Sequence, residues 1–74
     1  MEDRIRDILS NVLGLEPAVI DEGTGMDNVE SWDSLNHINV CLGIEQEFGI
    51  SFEVYEMEQM RTFGDIVTTL LAKV

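Results

Sequence analysis

The stretch Trp32-Asp33-Ser34-Leu35-Asn36-His37-Ile38 decides the fold, because it predicts where a helix begins and which way its apolar side chains run. Aspartate is a preferred helix N-cap, since its carboxylate accepts a hydrogen bond from a free N–H group of the first turn. Asp33 therefore predicts a helix whose first residue is Ser34. A hydroxyl at that position lies beside the positive end of the helix dipole, so the position suits a group attached through phosphate.

Four segments carry apolar residues at helical spacing, and none shows the alternation of a strand, so the sequence predicts an all-α fold. The first segment covers residues 2–13 and the second covers residues 34–48, and a glycine that favours a helix end follows each. A short third piece covers residues 54–60. The fourth begins after Thr62, which forms a capping-box pattern with Asp65. We expect a four-helix bundle with three longer helices and one short third helix.

Residues 15–32 form a long loop between the first two helices, and compact domains seldom carry such a loop without packing it down. An EF-hand starting at Asp21 fails, because its twelfth position is Trp32 rather than glutamate. The chain has one histidine and one cysteine, too few for a zinc ligand set, and we predict no metal site. The expected anchors of the loop are its apolar side chains, Val19, Ile20, Met26, Val29 and Trp32.

The net charge of −11 is concentrated in the middle of the chain, where residues 15–60 hold eleven acidic and no basic side chains. The electric field of this negative charge repels nucleic acid and anionic lipid, and it steers basic protein surfaces toward the middle of the chain. A plainer interpretation is that the acidity only keeps a small protein soluble. Residues 1–6 mix apolar side chains with acidic and basic ones, unlike a secretory signal or a transit peptide, so we expect a cytoplasmic protein that does not enter a membrane.

The apolar positions of the second helix cover an arc wider than one core-facing stripe requires. We assign one side to the core, namely Val40, Cys41, Ile44 and Phe48. The adjacent edge leads from Ser34 to Glu45 and is interpreted as an exposed apolar strip rimmed by carboxylates, formed by Leu35, Ile38 and Leu42. The alternative is that all seven apolar residues belong to the core. Gly43 indicates close backbone packing on this helix.

Ser34, His37 and Asp33 are close enough in sequence to test as a nucleophile, a base and an orienting acid. The test fails, because Asp33 is better placed as an N-cap and a bundle of this size offers neither an oxyanion hole nor a pocket. We expect His37 to be a packed or pocket-lining imidazole and Cys41 to be a reduced, partly buried thiol. No residue is predicted to be catalytic, and the chain is not expected to be an enzyme.

These features resemble the acyl and peptidyl carrier proteins, whose signature is Asp-Ser-Leu at the start of the second helix of a four-helix bundle. Here the triplet is Asp33-Ser34-Leu35, and residues 44–50 and 62–66 resemble the family's acidic helix end and the start of its last helix. The resemblance covers nearly the whole chain, as a single domain over residues 1–74. It implies that a separate transferase esterifies Ser34 with 4′-phosphopantetheine from coenzyme A. The thiol of this arm would then carry an acyl or aminoacyl group as a thioester.

The resemblance also implies partners. Asp33 would help to present the site to the phosphopantetheinyl transferase and its magnesium. Loading and acyl-processing enzymes with basic docking surfaces would bind a monomeric carrier. The positions that match the family's docking surface are Leu35, Ile38, Leu42 and Glu45.

Some residues depart from the pattern of carriers in primary fatty-acid synthesis, namely Trp32, Asn36, Asn39 and Gln46. They favour a carrier dedicated to a specialised pathway, such as cell-envelope, polyketide or aminoacyl chemistry, with fatty-acid synthesis as the second choice. An alternative of another class is an unmodified acidic module that binds a basic partner through the same strip.

Overall fold

The computed structural model describes residues 1–74 and confirms the all-α fold. Helix α1 covers Glu2–Leu13, a short 3-10 helix covers Pro17–Val19, and α2 covers Ser34–Phe48. Helix α3 covers Val54–Gln59 and α4 covers Phe63–Lys73. The structure therefore has the three longer helices and the short third helix that the sequence predicts, with α3 ending one residue earlier than expected.

The helix ends follow from local chemistry. Gly14 and Gly49 have φ angles of 72° and 65°, a left-handed conformation that glycine adopts without steric cost. The Thr62 hydroxyl accepts a hydrogen bond from the Asp65 N–H at 3.0 Å, and the Asp65 carboxylate accepts one from the Thr62 N–H at 3.2 Å. This reciprocal capping box confirms the predicted start of α4.

Helix α1 packs against both α2 and α4. A Cβ on Gly43 of α2 would lie 3.0 Å from Cγ2 of Ile8 on α1, so the absence of a side chain lets the two helices approach closely. Thirteen buried side chains form one core: Ile5, Leu9, Leu13, Ile20, Trp32, Val40, Cys41, Ile44, Phe52, Met60, Phe63, Ile66 and Leu70.

The long loop is packed down at most of the predicted anchors. Ile20 and Trp32 are buried, and Met26 and Val29 pack against the core with part of their surface exposed. The prediction for Val19 is wrong, because this side chain is 61% exposed. Val19 ends the short 3-10 helix, and the next residue is the one that turns into the core.

The same loop is hydrogen-bonded to the start of α4 through an isolated antiparallel bridge between Gly25 and Thr62. The N–H of Met26 donates to the carbonyl of Arg61 at 2.9 Å, and the N–H of Phe63 donates to the carbonyl of Thr24 at 2.8 Å. A Cβ on Gly25 would overlap the Arg61 carbonyl oxygen, so this close approach requires glycine.

Each of the four basic side chains pairs with a carboxylate: Arg4 with Glu47, Arg6 with Asp3, Arg61 with Asp27, and Lys73 with Glu56. The last pair, at 3.0 Å, joins the end of α4 to α3, and both of its side chains are mostly shielded from solvent. Of the five helices, none combines the length and the apolar character needed to cross a membrane.

Candidate functional site

Ser34 is the first residue of α2 and is exposed. Asp33 precedes it in an extended conformation, and its Oδ1 accepts a hydrogen bond from the N–H of Asn36 at 2.9 Å. This contact is the N-cap that the sequence predicts. It holds the serine hydroxyl at the end of a regular helix, where the remaining free N–H groups and the helix dipole favour an anion.

The residues before the serine are held from two sides. The Ser31 hydroxyl donates to the carbonyl of Leu13 at 2.8 Å, which ties this segment to the end of α1. The Asn36 amide donates to the carbonyl of Ser31 at 2.8 Å, which ties it to the first turn of α2. Because Trp32 is only 1% exposed, its side chain anchors the segment before Ser34 in the core.

His37 is half-buried and uses both ring nitrogens in hydrogen bonds. The Trp32 indole N–H donates to Nδ1 at 3.0 Å, and Nε2 lies 2.6 Å from the carbonyl oxygen of Met57. An indole N–H only donates and a carbonyl only accepts, so Nδ1 is the acceptor and Nε2 carries the proton. With both nitrogens occupied, the imidazole has no free lone pair with which to act as a base toward Ser34.

The two sides of α2 differ in burial as the helical spacing predicts. Val40, Cys41 and Ile44 are buried, and Phe48 packs against the core with part of its surface exposed. The apolar strip is open to solvent, with Leu35, Ile38 and Leu42 exposed by 70%, 53% and 48%. The alternative in which all seven apolar residues of this helix are core residues is therefore wrong.

Glu45 lies at the far end of the strip from Ser34 and is half-buried. Its Oε2 accepts a hydrogen bond from the N–H of Phe52 at 2.7 Å, so this carboxylate also fixes the connection between α2 and α3. Burial, followed by the charge of Glu45, raises the pKa of the Cys41 thiol to about 11. Cys41 is a free thiol, as expected, but it is only 1% exposed and is therefore buried more completely than the partly buried thiol that the sequence predicts.

A cleft of about 240 Å³ opens beside Ser34, so the expectation that a bundle of this size offers no pocket is wrong. His37 lines the cleft, as one of the two expectations for it allowed, but the sequence analysis missed most of the other lining residues. The lining residues come from the loop, α2, α3 and the connection between α3 and α4: Met26, Ser34, His37, Met57, Glu58 and Arg61. Arg61 stands out in the sequence as the only lysine or arginine between Arg6 and Lys73. Nothing in the local spacing shows that this residue faces the same cleft as Ser34.

Comparison with known proteins identifies the class of protein that this fold and this site define. The family described as "phosphopantetheine attachment site" matches residues 3–70. The chain belongs to this family of phosphopantetheine-bearing carrier proteins. The cofactor of the class is a covalently attached 4′-phosphopantetheine, and an exposed hydroxyl at the start of α2 beside a cleft with a basic wall fits such a group.

Curated relatives agree with this assignment. The chain is 26% identical over 68 residues to an acyl carrier protein of Chlamydia caviae, a match that covers 92% of this chain and 88% of the relative. It is 27% identical over 70 residues to an acyl carrier protein of Thermotoga maritima, with 95% of this chain and 86% of the relative covered. The similarity therefore extends over almost the full length of this chain and over most of each relative.

Proposed function

We propose that Ser34 is the residue that carries the 4′-phosphopantetheine arm, and that this single domain presents acyl or aminoacyl groups as thioesters on it. The observation that supports the proposal is the exposed hydroxyl of Ser34 at the capped start of α2, next to an exposed apolar strip. A separate transferase joins the serine oxygen to the 4′-phosphate of the arm. The pyrophosphate bond of coenzyme A breaks in this step, and the adenosine bisphosphate portion leaves.

The proposal is tested by incubating the apo protein with coenzyme A, magnesium and a broad-specificity phosphopantetheinyl transferase, and then measuring the intact mass. We expect the wild type to gain the mass of one arm and Ser34→Ala to gain none. Ser51→Ala is the matched control, because Ser51 is also exposed but lies outside α2, and it should be modified like the wild type. Modification of Ser34→Ala, or no modification of a folded wild type, contradicts the proposal.

Asp33 has two roles in this proposal, as the cap of α2 and as a contact for the transferase and its magnesium. Substitution by alanine removes the cap, whereas asparagine keeps a capping oxygen and removes only the charge. We expect Asp33→Asn to fold like the wild type and to be loaded more slowly. Equal loading rates for Asp33→Asn and the wild type would confine the role of Asp33 to capping.

The apolar strip and the surrounding carboxylates are proposed as the surface that docks partner enzymes. Exposed apolar side chains rimmed by acids suit brief contacts with basic surfaces, because charge steers the encounter while a small contact area permits release. We expect Leu35→Asp or Ile38→Glu to weaken partner binding and the wild-type association rate to fall with added salt. Leu71→Asp is the control, because Leu71 is 59% exposed but lies on α4.

The alternative of an unmodified interaction module makes a different prediction. Such a module keeps its function in Ser34→Ala and loses it when the strip is changed, whereas a carrier loses its function with the serine. We assign no catalytic step to the chain, because both nitrogens of His37 are already hydrogen-bonded beside Ser34. The cytoplasmic location and the monomeric state stay predictions of the sequence.

We further propose a dedicated biosynthetic pathway, with primary fatty-acid synthesis as the second choice. The support is the set of polar and aromatic residues around the serine, of which Asn36 and Trp32 take part in the hydrogen bonds that hold the site. A reconstituted fatty-acid elongation assay separates the two roles. We expect the holo protein to be elongated poorly there, and efficient elongation would assign it to fatty-acid synthesis instead.

A further inference from the structure

The cleft beside Ser34 is lined by a single basic residue. Arg61 lines it together with Glu58, and no other lysine or arginine occurs anywhere in residues 7–72. The residue that caps the helix start, Asp33, is itself acidic. A phosphodiester on Ser34 would therefore add negative charge beside a cleft in which Arg61 is the only lysine or arginine.

The backbone of Arg61 is held at the edge of this cleft. Its carbonyl accepts the N–H of Met26 at 2.9 Å, and its N–H donates to Oδ2 of Asp65 at 3.1 Å. These two bonds fix the residue between the loop and the start of α4. The base of the arginine side chain is therefore fixed, and only its flexible end is left to move.

The end of the side chain is available for another partner. Nη2 of Arg61 lies 3.0 Å from Oδ1 of Asp27, and the two side chains are 52% and 84% exposed. An ion pair this exposed contributes little to stability, so its loss is easily offset. A guanidinium also has five N–H donors, and the bond to Asp27 uses only one of them.

We propose that Arg61 binds the phosphate of the arm on Ser34 and so positions the first part of the arm over the cleft. A guanidinium suits this contact, because its planar fork can donate two hydrogen bonds to the oxygens of a phosphate. The contact either replaces the bond to Asp27 or is made alongside it. This inference rests on the proposed attachment at Ser34, since it names the residue that the attached phosphate touches.

The test compares the apo and holo proteins by NMR, after intact mass has confirmed that each variant carries one arm. Arg61 should show a change in its side-chain Nε–Hε cross peak between apo and holo protein. Arg4 serves as the internal control, because it pairs with Glu47 and lies over the ring of Phe48. We expect its cross peak to stay in place. The ³¹P resonance of the holo protein should shift in Arg61→Gln and stay near the wild-type position in Arg4→Gln.

Arg61→Lys keeps the charge but loses the planar fork, so its ³¹P resonance should lie between those of the wild type and Arg61→Gln. The backbone spectra of the apo variants show whether each is folded. If the arm is attached and neither the Arg61 cross peak nor the ³¹P resonance responds, the inference is wrong and the proposed function stands. If Ser34 takes no arm, both are wrong.

Discussion

The indole N–H of Trp32 donates to Nδ1 of His37 at 3.0 Å, so the residue two before Ser34 is bonded to the residue three after it. The imidazole continues the connection, because its Nε2 lies 2.6 Å from the carbonyl oxygen of Met57. Three elements, the long loop, α2 and α3, thus meet behind the serine. Ser34 itself is exposed, so its hydroxyl is accessible to solvent while the residues on either side of it are held by hydrogen bonds.

Replacing His37 with phenylalanine should destabilise the fold, because it leaves the buried indole N–H of Trp32 without its partner. It also removes the imidazole from the carbonyl of Met57, which then keeps only the N–H of Met60, at 3.3 Å. An unpaired buried polar group costs about 1–3 kcal/mol, so we expect the free energy of unfolding to fall by about 2 kcal/mol. Urea unfolding followed by the fluorescence of Trp32, the only tryptophan, measures the change. The matched control is Asn39→Ala, since Asn39 is exposed, and it should change stability by less than about 0.5 kcal/mol. Equal midpoints for the two variants would contradict the prediction.

The helix ends and the apolar strip were predictable because both depend on neighbours in sequence. Asp33 caps α2 through a residue three positions on, and Gly49 ends the helix with its own backbone conformation. The exposure of Leu35 and Ile38 follows from helical periodicity once the helix is placed. Local rules of this kind give the position of the serine without knowledge of the tertiary structure.

The cleft beside the serine was not predictable in this way, because it depends on contacts between distant parts of the chain. Arg61 lines the cleft together with Met26 of the loop, to which its carbonyl is hydrogen-bonded next to the Gly25–Thr62 bridge. In the loop itself, helical periodicity does not apply, and it did not show that Ile20 rather than Val19 is buried. In an irregular loop, the side chains that point into the core can be assigned only when the packing partners are known.

Cys41 should be almost unreactive in the native apo protein. Burial and the charge of Glu45 raise the pKa of its thiol to about 11, so at about pH 8 only about one thiol in a thousand is ionised. We expect slow reaction with a disulfide reagent in buffer and one fast equivalent in denaturant. After loading, one fast thiol should appear without denaturant, and Cys41→Ser should keep it, because that thiol belongs to the arm. A fast thiol in the native apo protein would contradict the buried position of Cys41.

The contact between α3 and α4 should make the fold sensitive to acid. A hydrogen bond from the Glu53 N–H at 2.8 Å and the pairing with Lys73 hold the pKa of Glu56 below its ordinary value of 4.5. Since the pKa is lower in the folded state, this stabilisation is present above the unfolded value and is lost as the pH falls through the folded one.

Glu56→Gln has no carboxylate to protonate, so its stability should fall less than that of the wild type when the pH is lowered from neutral to below 4.5. Thermal unfolding at a series of pH values gives the comparison. Glu58→Gln, at an exposed position on the same helix, is the control and should follow the wild type. Parallel curves for Glu56→Gln and the wild type would show that Glu56 does not contribute to the acid sensitivity.

Gly25→Ala should disrupt the contact between the loop and the start of α4. The new Cβ would overlap the carbonyl oxygen of Arg61 and lie 2.8 Å from Cγ2 of Thr62, and a backbone carbonyl held by its own hydrogen bond cannot easily move away. Overpacking of this kind costs about 1–3 kcal/mol, and we expect a loss toward the upper end of that range. The control is Gly23→Ala in the same loop, because a Cβ there would meet only Oδ1 of Asp21, at an ordinary 3.6 Å. Urea unfolding of both variants decides the matter: if Gly25→Ala is as stable as Gly23→Ala, the close approach at Gly25 does not hold the loop against α4.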